Sequence, residues 1–211
     1  MFYPACTENG IHVLCIFTRT VHSIHNKRMR TAILLLSALI AGSAAAAHVA
    51  AAADKPLATV PSVDLEKYMG KWYEISSFPQ SFQKGCHCTV AEYAMTDKGY
   101  VRVVNTCRKD SAEGKVKTAN GKAFVVEGSH NSKLRVQFFW PFRGDYWIID
   151  LAPDYTYAVV GDPSRKYLWI LCRTPQMDET LYRGIVDRAA AKGFDITKLV
   201  RTDQSCVGRR P

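Results

Sequence analysis

Long apolar segments are almost absent from this chain of 211 residues, which has a mean hydropathy of −0.12. Its strongest apolar run, residues 32–41, falls short of the ~20 residues that a helix needs to span a bilayer. The sequence therefore excludes a multi-pass membrane protein. Blocks of basic charge are also missing, because the net charge of +9 is scattered along the chain. No nucleic-acid partner is indicated.

Residues that carry catalytic or metal chemistry are equally scarce after residue 53, where His87 and His130 are the only histidines. Gly70 and Gly85 are isolated, so no glycine-rich phosphate loop is present. The string Cys86-His87-Cys88 is too closely spaced to provide three metal ligands from an extended strand. We therefore predict no catalytic residues, no metal site and no cofactor.

The N-terminal part has the pattern of a secretory signal peptide. Lys27, Arg28 and Arg30 precede the apolar run, and an alanine-rich tract follows as far as Ala53. We predict a leader over residues 1–53, with cleavage after Ala53 or after Ala47, and with Met29 as an alternative start. No cysteine between Ile16 and Gly85 offers a site for lipid attachment. The expected product is exported, periplasmic or secreted, and soluble without a lipid anchor.

Most of the sequence after residue 54 predicts β-structure. Short segments rich in Val, Ile, Tyr, Phe and Trp alternate with turn signals such as Asn120-Gly121. Eight strands are predicted, over residues 72–76, 89–95, 100–106, 123–127, 134–140, 146–151, 157–160 and 167–172. Strands in series without helical crossovers pair antiparallel, in a sandwich or an up-and-down barrel.

One late segment, residues 178–192, predicts an amphipathic helix. Leu181, Ile185 and Ala189 are spaced four apart, Asp178 is a suitable N-cap, and Gly193 provides the C-terminal stop. The apolar stripe of such a helix must be buried, and the outside of the sheet is the available surface.

Three motifs resemble those of the lipocalins. Gly70-Lys71-Trp72-Tyr73-Glu74-Ile75 resembles the first signature, and residues 161–171 resemble the second in its bacterial outer-membrane lipoprotein and apolipoprotein D-like form, without the lipoprotein cysteine. Arg173 resembles the third. The resemblance extends over nearly all of residues 57–206. It implies an all-β domain over residues 54–211: an eight-stranded antiparallel up-and-down barrel with one C-terminal α-helix packed outside.

The resemblance also implies that Arg173 reaches under the barrel and stacks on Trp72, with Gly70, Trp72 and Arg173 as a structural signature. Period 2 places Tyr167, Trp169 and Leu171 on the same strand face as Arg173. In segment 134–140 the even positions are apolar, which predicts that they face inward. The candidate ligand-binding residues are Glu74, Phe124, Val136, Phe138, Trp140, Tyr146, Tyr157, Tyr167 and Trp169.

This lining suits an acyl chain with a polar head left at the mouth. We therefore expect a monomeric protein that carries or stores a fatty acid or (lyso)phospholipid and touches membrane surfaces transiently; the resemblance implies lipid binding as well. One alternative is a lipid isomerase or peroxidase with Cys107 as nucleophile. Another is a barrel filled with side chains that serves only as an interaction module.

Without Cys6 and Cys15, five cysteines remain, and export predicts disulfides. The resemblance to apolipoprotein D implies Cys88–Cys206, which leaves Cys86 for Cys107. If residues 96–99 form a four-residue loop, the hairpin register instead sets Cys88 opposite Cys107. Cys172 is expected to be a buried free thiol on the outer face.

Overall fold

The computed structural model describes residues 55–206. The predicted leader, its cleavage site and the alternative start at Met29 lie outside the described residues. Within residues 55–206 the strands and helices follow the chain as α1 (Leu65–Tyr68), β1 (Gly70–Ser77), β2 (Cys86–Met95), β3 (Val101–Lys109), β4 (Val116–Val125), β5 (Lys133–Phe139), β6 (Phe142–Leu151), β7 (Tyr157–Gly161), β8 (Leu168–Cys172), α2 (Glu179–Ala191) and β9 (Val200–Arg201). Two short 3-10 turns, Ser81–Gln83 and Ile196–Lys198, complete the list.

The strands form a closed antiparallel barrel. Each strand from β1 to β8 pairs with the next, and β1 also pairs with β8, while β9 adds to the outer part of β1. The predicted eight-stranded up-and-down barrel with one C-terminal α-helix is confirmed. Because the strands alternate in direction, the β1–β2, β3–β4, β5–β6 and β7–β8 connections share one end. We call this the open end, and the other the closed end.

The turn predicted at Asn120-Gly121 is wrong. Asn120-Gly121 lies inside β4, where Gly121 pairs with Val103. A Cβ on Gly121 would lie 2.9 Å from the Phe138 ring, so the glycine makes room for that side chain. Only the end of β4 was predicted, within the segment 123–127; its first part was missed because residues 116–120 are exposed on both faces and show no apolar alternation.

The β2–β3 hairpin differs from prediction by one residue. Met95 pairs with Val101, so the loop covers residues 96–100 and has five residues instead of four. A register shift between His87 and Val90 follows further along β2. Cys88 lies in this bulge with a positive φ of 51°, and its backbone N–H donates to the carbonyl of Asp203 in the C-terminal tail at 2.7 Å. Cys107 is bonded to Cys86 instead, so the pairing inferred from the hairpin count is wrong.

Both disulfides lie near the open end. Cys86 is joined to Cys107, and Cys88 is joined to Cys206, as the resemblance implied. The first disulfide links β2 to β3, and the second ties the C-terminal tail to β2. Among the described residues, Cys172 is the free cysteine, and it is buried with the outer apolar cluster.

The C-terminal tail closes the seam between β1 and β2. Direct pairing of these two strands ends at Tyr73 and Val90. Beyond that point the side-chain amide of Gln204 donates hydrogen bonds to the backbone carbonyls of Glu74 and Thr89, each at 2.9 Å. The tail therefore replaces part of the barrel wall where the two strands separate.

Alternation along the strands produces two apolar layers. The inner layer fills the lower barrel, and the outer layer lies between the sheet and α2. Asp178 caps α2 by accepting from the backbone N–H groups of Thr180 and Leu181, each at 2.9 Å. Ile185 and Ala189 bury their side chains in the outer layer, together with Ile75, Phe78, Ile149, Val159, Leu168, Ile170 and Phe194.

The closed end is sealed by the pair that the resemblance implied. Trp72 is fully buried, and the guanidinium carbon of Arg173 lies 3.7 Å from the centroid of its ring. Arg173 also donates hydrogen bonds to the carbonyls of Lys67 at 2.6 Å, Lys71 at 2.9 Å and Tyr155 at 3.3 Å. One side chain thus joins α1, β1 and the β6–β7 connection beneath the barrel.

The segment before β1 completes this floor. Asp64 caps α1 by accepting from the backbone N–H groups of Glu66 at 3.0 Å and Lys67 at 3.3 Å. The indole N–H of Trp72 donates to the carbonyl of Tyr68, the last residue of α1, at 2.8 Å. The indole therefore holds the helix against the barrel as well as filling its base.

We predict that Arg173→Met lowers the free energy of unfolding by about 2–3 kcal/mol, because it removes the cation–π contact with the buried Trp72 and the charge-assisted hydrogen bonds to three backbone carbonyls. Urea unfolding followed by circular dichroism measures the change. Arg183→Met, on the exposed face of α2, is the matched control and should change stability by less than about 0.5 kcal/mol. Equal effects of the two substitutions would contradict the role given to Arg173.

Candidate functional site

The inner face of the barrel is apolar over most of its height. On β8, Trp169 and Leu171 face inward, whereas Leu168 and Ile170 face the outer layer. The same alternation on the other strands places mainly aliphatic side chains inside: Val101, Val103, Ala123, Leu134, Val136, Ile148, Ala158 and Val160. We call this inner face and its opening the cup.

Solvent reaches the wall of the cup near the open end. Consecutive strand residues point to opposite faces, yet residues 116–120 of β4 and residues 142–145 of β6 are all exposed. Both faces of the wall are therefore accessible at this level. The inward positions here carry small residues, Ala119, Gly121 and Gly144, and Phe138 is the large side chain beside them.

Aromatic side chains flank the other side of the opening. The rings of Tyr167 and Trp169 are stacked, with centroids 5.9 Å apart and an interplanar angle of 16°. Phe82, on the β1–β2 connection, lies 6.4 Å from Tyr167 between ring centroids. The indole N–H of Trp169 donates to Oε1 of Gln83 at 3.2 Å. A flat aromatic surface thus leads from the rim into the cup.

A buried carboxylate lies below this aromatic surface. Glu74 shares the strand face of Trp72 and is buried. Its oxygens accept hydrogen bonds from Gln83 Nε2 at 2.7 Å, from Ser77 Oγ at 3.0 Å and from Thr202 Oγ1 at 2.6 Å. These donors come from the rim, from β1 and from the tail, so Glu74 connects all three. Its contact with Gln83 also links it to Trp169.

Three tyrosines form a polar cluster near the floor of the cup. The hydroxyl of Tyr146 is hydrogen-bonded to that of Tyr68 at 2.8 Å and to that of Tyr93 at 3.0 Å. Burial raises the pKa of Tyr68 and Tyr146 well above 10.0 and raises the pKa of Tyr93 to about 12. All three are therefore neutral near pH 7 and can donate or accept hydrogen bonds.

Six of the nine residues predicted to contact a ligand lie on the inner face of the cup or beside Trp169 at its opening. Val136, Phe138, Tyr146 and Trp169 pack with the inner layer, Glu74 lies on the same face, and Tyr167 is at the rim. The strand face predicted for residues 134–138 is therefore the inner one. Their contact with a ligand stays a prediction.

The predicted inward orientation of the other three residues is wrong. Phe124 faces outward, because its neighbour Ala123 belongs to the inner layer; its ring contacts Arg143, whose guanidinium carbon lies 4.3 Å from the centroid. Tyr157 packs in the outer layer and accepts from Arg188 of α2 at 3.0 Å. Trp140 lies beyond the end of β5, in the exposed turn before β6.

Several polar residues of the cup were not identified from the sequence. Gln83 and Gln204 reach Glu74 from distant parts of the chain, and Tyr68 and Tyr93 meet Tyr146 only through the barrel closure. Tyr93 shares a strand face with Ala91, which pairs with Trp72, but the pattern of the strand alone did not identify this face as the inner one. No local sequence pattern identified Gln83 or Gln204 as part of the cup.

Comparison with known protein families shows which family the chain belongs to. Residues 63–204 match the lipocalin-like domain family. The chain belongs to the lipocalin family. It is 40% identical over 160 residues to temperature-induced lipocalin-1 of Arabidopsis thaliana, covering 72% of this chain and 84% of that protein.

Two other relatives align with this chain over a similar share of their length. The outer membrane lipoprotein Blc of Vibrio cholerae is 36% identical over 146 residues, which cover 69% of this lipocalin and 85% of that protein. Mouse (Mus musculus) apolipoprotein D is 36% identical over 152 residues, which cover 67% and 77% respectively. Among solved structures, insecticyanin of the tobacco hornworm Manduca sexta has a TM-score of 0.57 at 20% identity, covering 71% of this chain and 85% of that one. That likeness shows the shared fold alone.

The structure also bears on the thiol-enzyme alternative. A nucleophilic Cys107 would need a free thiol, but Cys107 is joined to Cys86. The two disulfides are typical of a protein from an oxidising compartment. Within residues 55–206, no helix has both the length and the hydropathy needed to cross a membrane.

The tyrosine cluster predicts a loss of stability at alkaline pH. Because burial raises these pKa values above 10.0, the unfolded chain releases phenolic protons that the folded barrel retains. Stability should therefore fall as pH rises from about 10 towards 12, by up to ~1.4 kcal/mol per pH unit for each retained proton. Urea unfolding at a series of pH values measures this slope. In Tyr146→Phe the slope should be smaller, and an unchanged slope would contradict the assignment.

Proposed function

We propose that this lipocalin binds one small amphiphilic lipid, a fatty acid or a lysophospholipid, in the cup and carries or stores it. The observation that carries the proposal is an apolar inner wall that is closed by Arg173 and Trp72 at one end and reached by solvent at the other. Such a concave apolar site suits an acyl chain. The family relationship supports a binding protein over an enzyme.

The polar groups near the opening support one orientation of the ligand. The acyl chain lies along the aliphatic inner wall, with its upper part against Trp169 and Phe138. The head group stays at the open end, where Lys84 and Lys117 are exposed. A carboxylate or phosphate would form charge-assisted hydrogen bonds with such ammonium groups. The buried Glu74 lies below them, and its own donors already satisfy it.

We further propose an extracytoplasmic site of action, periplasmic or secreted, for a monomeric protein. The disulfides support this compartment. A closed barrel leaves no long unpaired strand edge for self-association, which supports the monomer. Loading and release of an acyl chain require transient contact with a membrane or another lipid store, because free lipid is sparingly soluble.

Titration with a fluorescent fatty acid in vesicle-free solution tests the binding site. Trp169→Ala should weaken binding by about tenfold, because it removes an aromatic contact worth roughly 1.5 kcal/mol. Trp147→Ala is the matched control: Trp147 is also partly buried, but it packs with the outer layer and contacts Lys133. It should leave the affinity within about twofold of wild type.

Circular dichroism establishes that both variants are folded. Equal effects of the two substitutions would contradict binding in the cup. No uptake of fatty acid or lysophospholipid by the wild-type protein would favour the filled-barrel alternative and overturn the proposal.

A further inference from the structure

The most exposed apolar side chains of the described part of the chain share one location. Five of them are exposed by 61–85%, and all five flank the connections at the open end: Phe82, Val116, Phe139, Trp140 and Phe142. At the closed end the corresponding side chains, Met95 and Val125, are exposed by 52% and 40%. A folded protein rarely leaves such a cluster in water without a partner for it.

Three of these five residues belong to one hairpin. Phe139 ends β5, Trp140 and Pro141 form the turn, and Phe142 begins β6. The hairpin tip carries no charged side chain between Gln137 and Arg143. Phe82 and Tyr167 form a second aromatic group on the opposite side of the opening. We call these two groups, with Val116, the apolar rim.

The open end also carries most of the excess positive charge of the barrel. Residues 78–87, 107–118, 138–144 and 161–168 contain three acidic residues, Asp110, Glu113 and Asp162, and eight basic ones: Lys84, Arg108, Lys109, Lys115, Lys117, Arg143, Arg165 and Lys166. The matching closed-end segments, residues 62–71, 93–102, 124–134, 150–158 and 172–176, hold six basic and six acidic residues. The net charge of the two ends therefore differs strongly.

Exposed Trp and Phe side chains surrounded by Lys and Arg are the chemistry of the membrane interface. Aromatic rings partition into the head-group region, and basic residues are attracted to an anionic lipid surface. We propose that the apolar rim and its lysines dock this lipocalin on an anionic lipid bilayer, with the cup opening facing the membrane. We infer that the docked protein exchanges lipid with the bilayer, and this part of the inference rests on the proposed function.

Charge complementarity favours the bilayer over a second copy of the chain. A rim-to-rim dimer would bring together two surfaces of net positive charge, which repel each other. An anionic bilayer supplies both the opposite charge and an apolar layer for the hairpin tip. The orientation also gives an acyl chain a path from bilayer to cup that avoids bulk water.

Co-sedimentation with phosphatidylcholine vesicles, with and without phosphatidylglycerol, tests the proposal. The wild-type protein should bind phosphatidylglycerol vesicles more tightly than phosphatidylcholine alone. The double variant Phe139→Ser/Trp140→Ser should partition at least about tenfold less into both, because two interfacial rings are lost. The double variant Lys115→Glu/Lys117→Glu should lose the preference for phosphatidylglycerol, and high salt should abolish that preference in the wild type.

Closed-end substitutions provide the matched controls. Met95→Ser removes an exposed apolar side chain and Lys98→Glu reverses an exposed charge, both far from the opening along the barrel. Each should bind vesicles within about twofold of wild type. Equal losses in the rim and control variants would overturn the proposed orientation.

Fatty-acid titration without vesicles separates this proposal from the function proposed above. Retained fatty-acid affinity with lost vesicle binding in the Phe139→Ser/Trp140→Ser variant supports docking through the rim. A wild-type protein that binds fatty acid but neither type of vesicle overturns docking and leaves lipid binding intact. A wild-type protein that binds vesicles but takes up no fatty acid supports docking and overturns the proposed lipid binding in the cup. A rim-dependent dimer in light scattering, without vesicle binding, would assign the rim to a second copy and overturn the proposal.

Discussion

The contact between Arg173 and Trp72 is the constraint on which the rest of the cup depends. A barrel of eight strands has two ends, and it holds a ligand only if one of them is closed. Here a single guanidinium covers the buried indole and donates to three carbonyls beneath it. That arrangement fixes α1 under the barrel and leaves the other end free to vary. The aromatic and basic residues of the open end are therefore available for the proposed ligand and membrane contacts without carrying the stability of the fold.

Strand alternation explains how one sheet performs two tasks. Inward side chains form the apolar wall of the cup, and outward side chains under α2 form a second core. Gly161 shows how closely the outer layer packs, since a Cβ there would lie 2.5 Å from the Phe194 ring. With α2 held by this second core, the upper inner wall need not be filled for the protein to fold. The tail adds the last part of the wall, where Gln204 bridges β1 and β2.

The sequence predicts the parts of this structure that local pattern determines. The Trp72 and Arg173 signatures, the helix capped by Asp178 and the inner face of residues 134–138 all follow from short motifs or period 2. Phe124 and Tyr157 were placed wrongly because alternation gives two faces but does not say which is inner; the pairing of Ala123 with Val136 decides it for β4. Alternation was also extended past the end of β5 to Trp140. The contacts of Glu74 with Gln83 and Thr202 could not be predicted, because they join residues from separate parts of the chain.

Native mass spectrometry of the protein, mixed with lysophospholipid and freed of excess lipid, tests the central claim most directly. An open cup with a closed floor predicts a complex with one lipid per chain, and the complex should persist at low collision energy. The bound mass should be that of one lysophospholipid molecule, even when the lipid was added in molar excess before its removal. A spectrum with only the unliganded chain, or with a graded series of several lipids per chain, would contradict a single enclosed site.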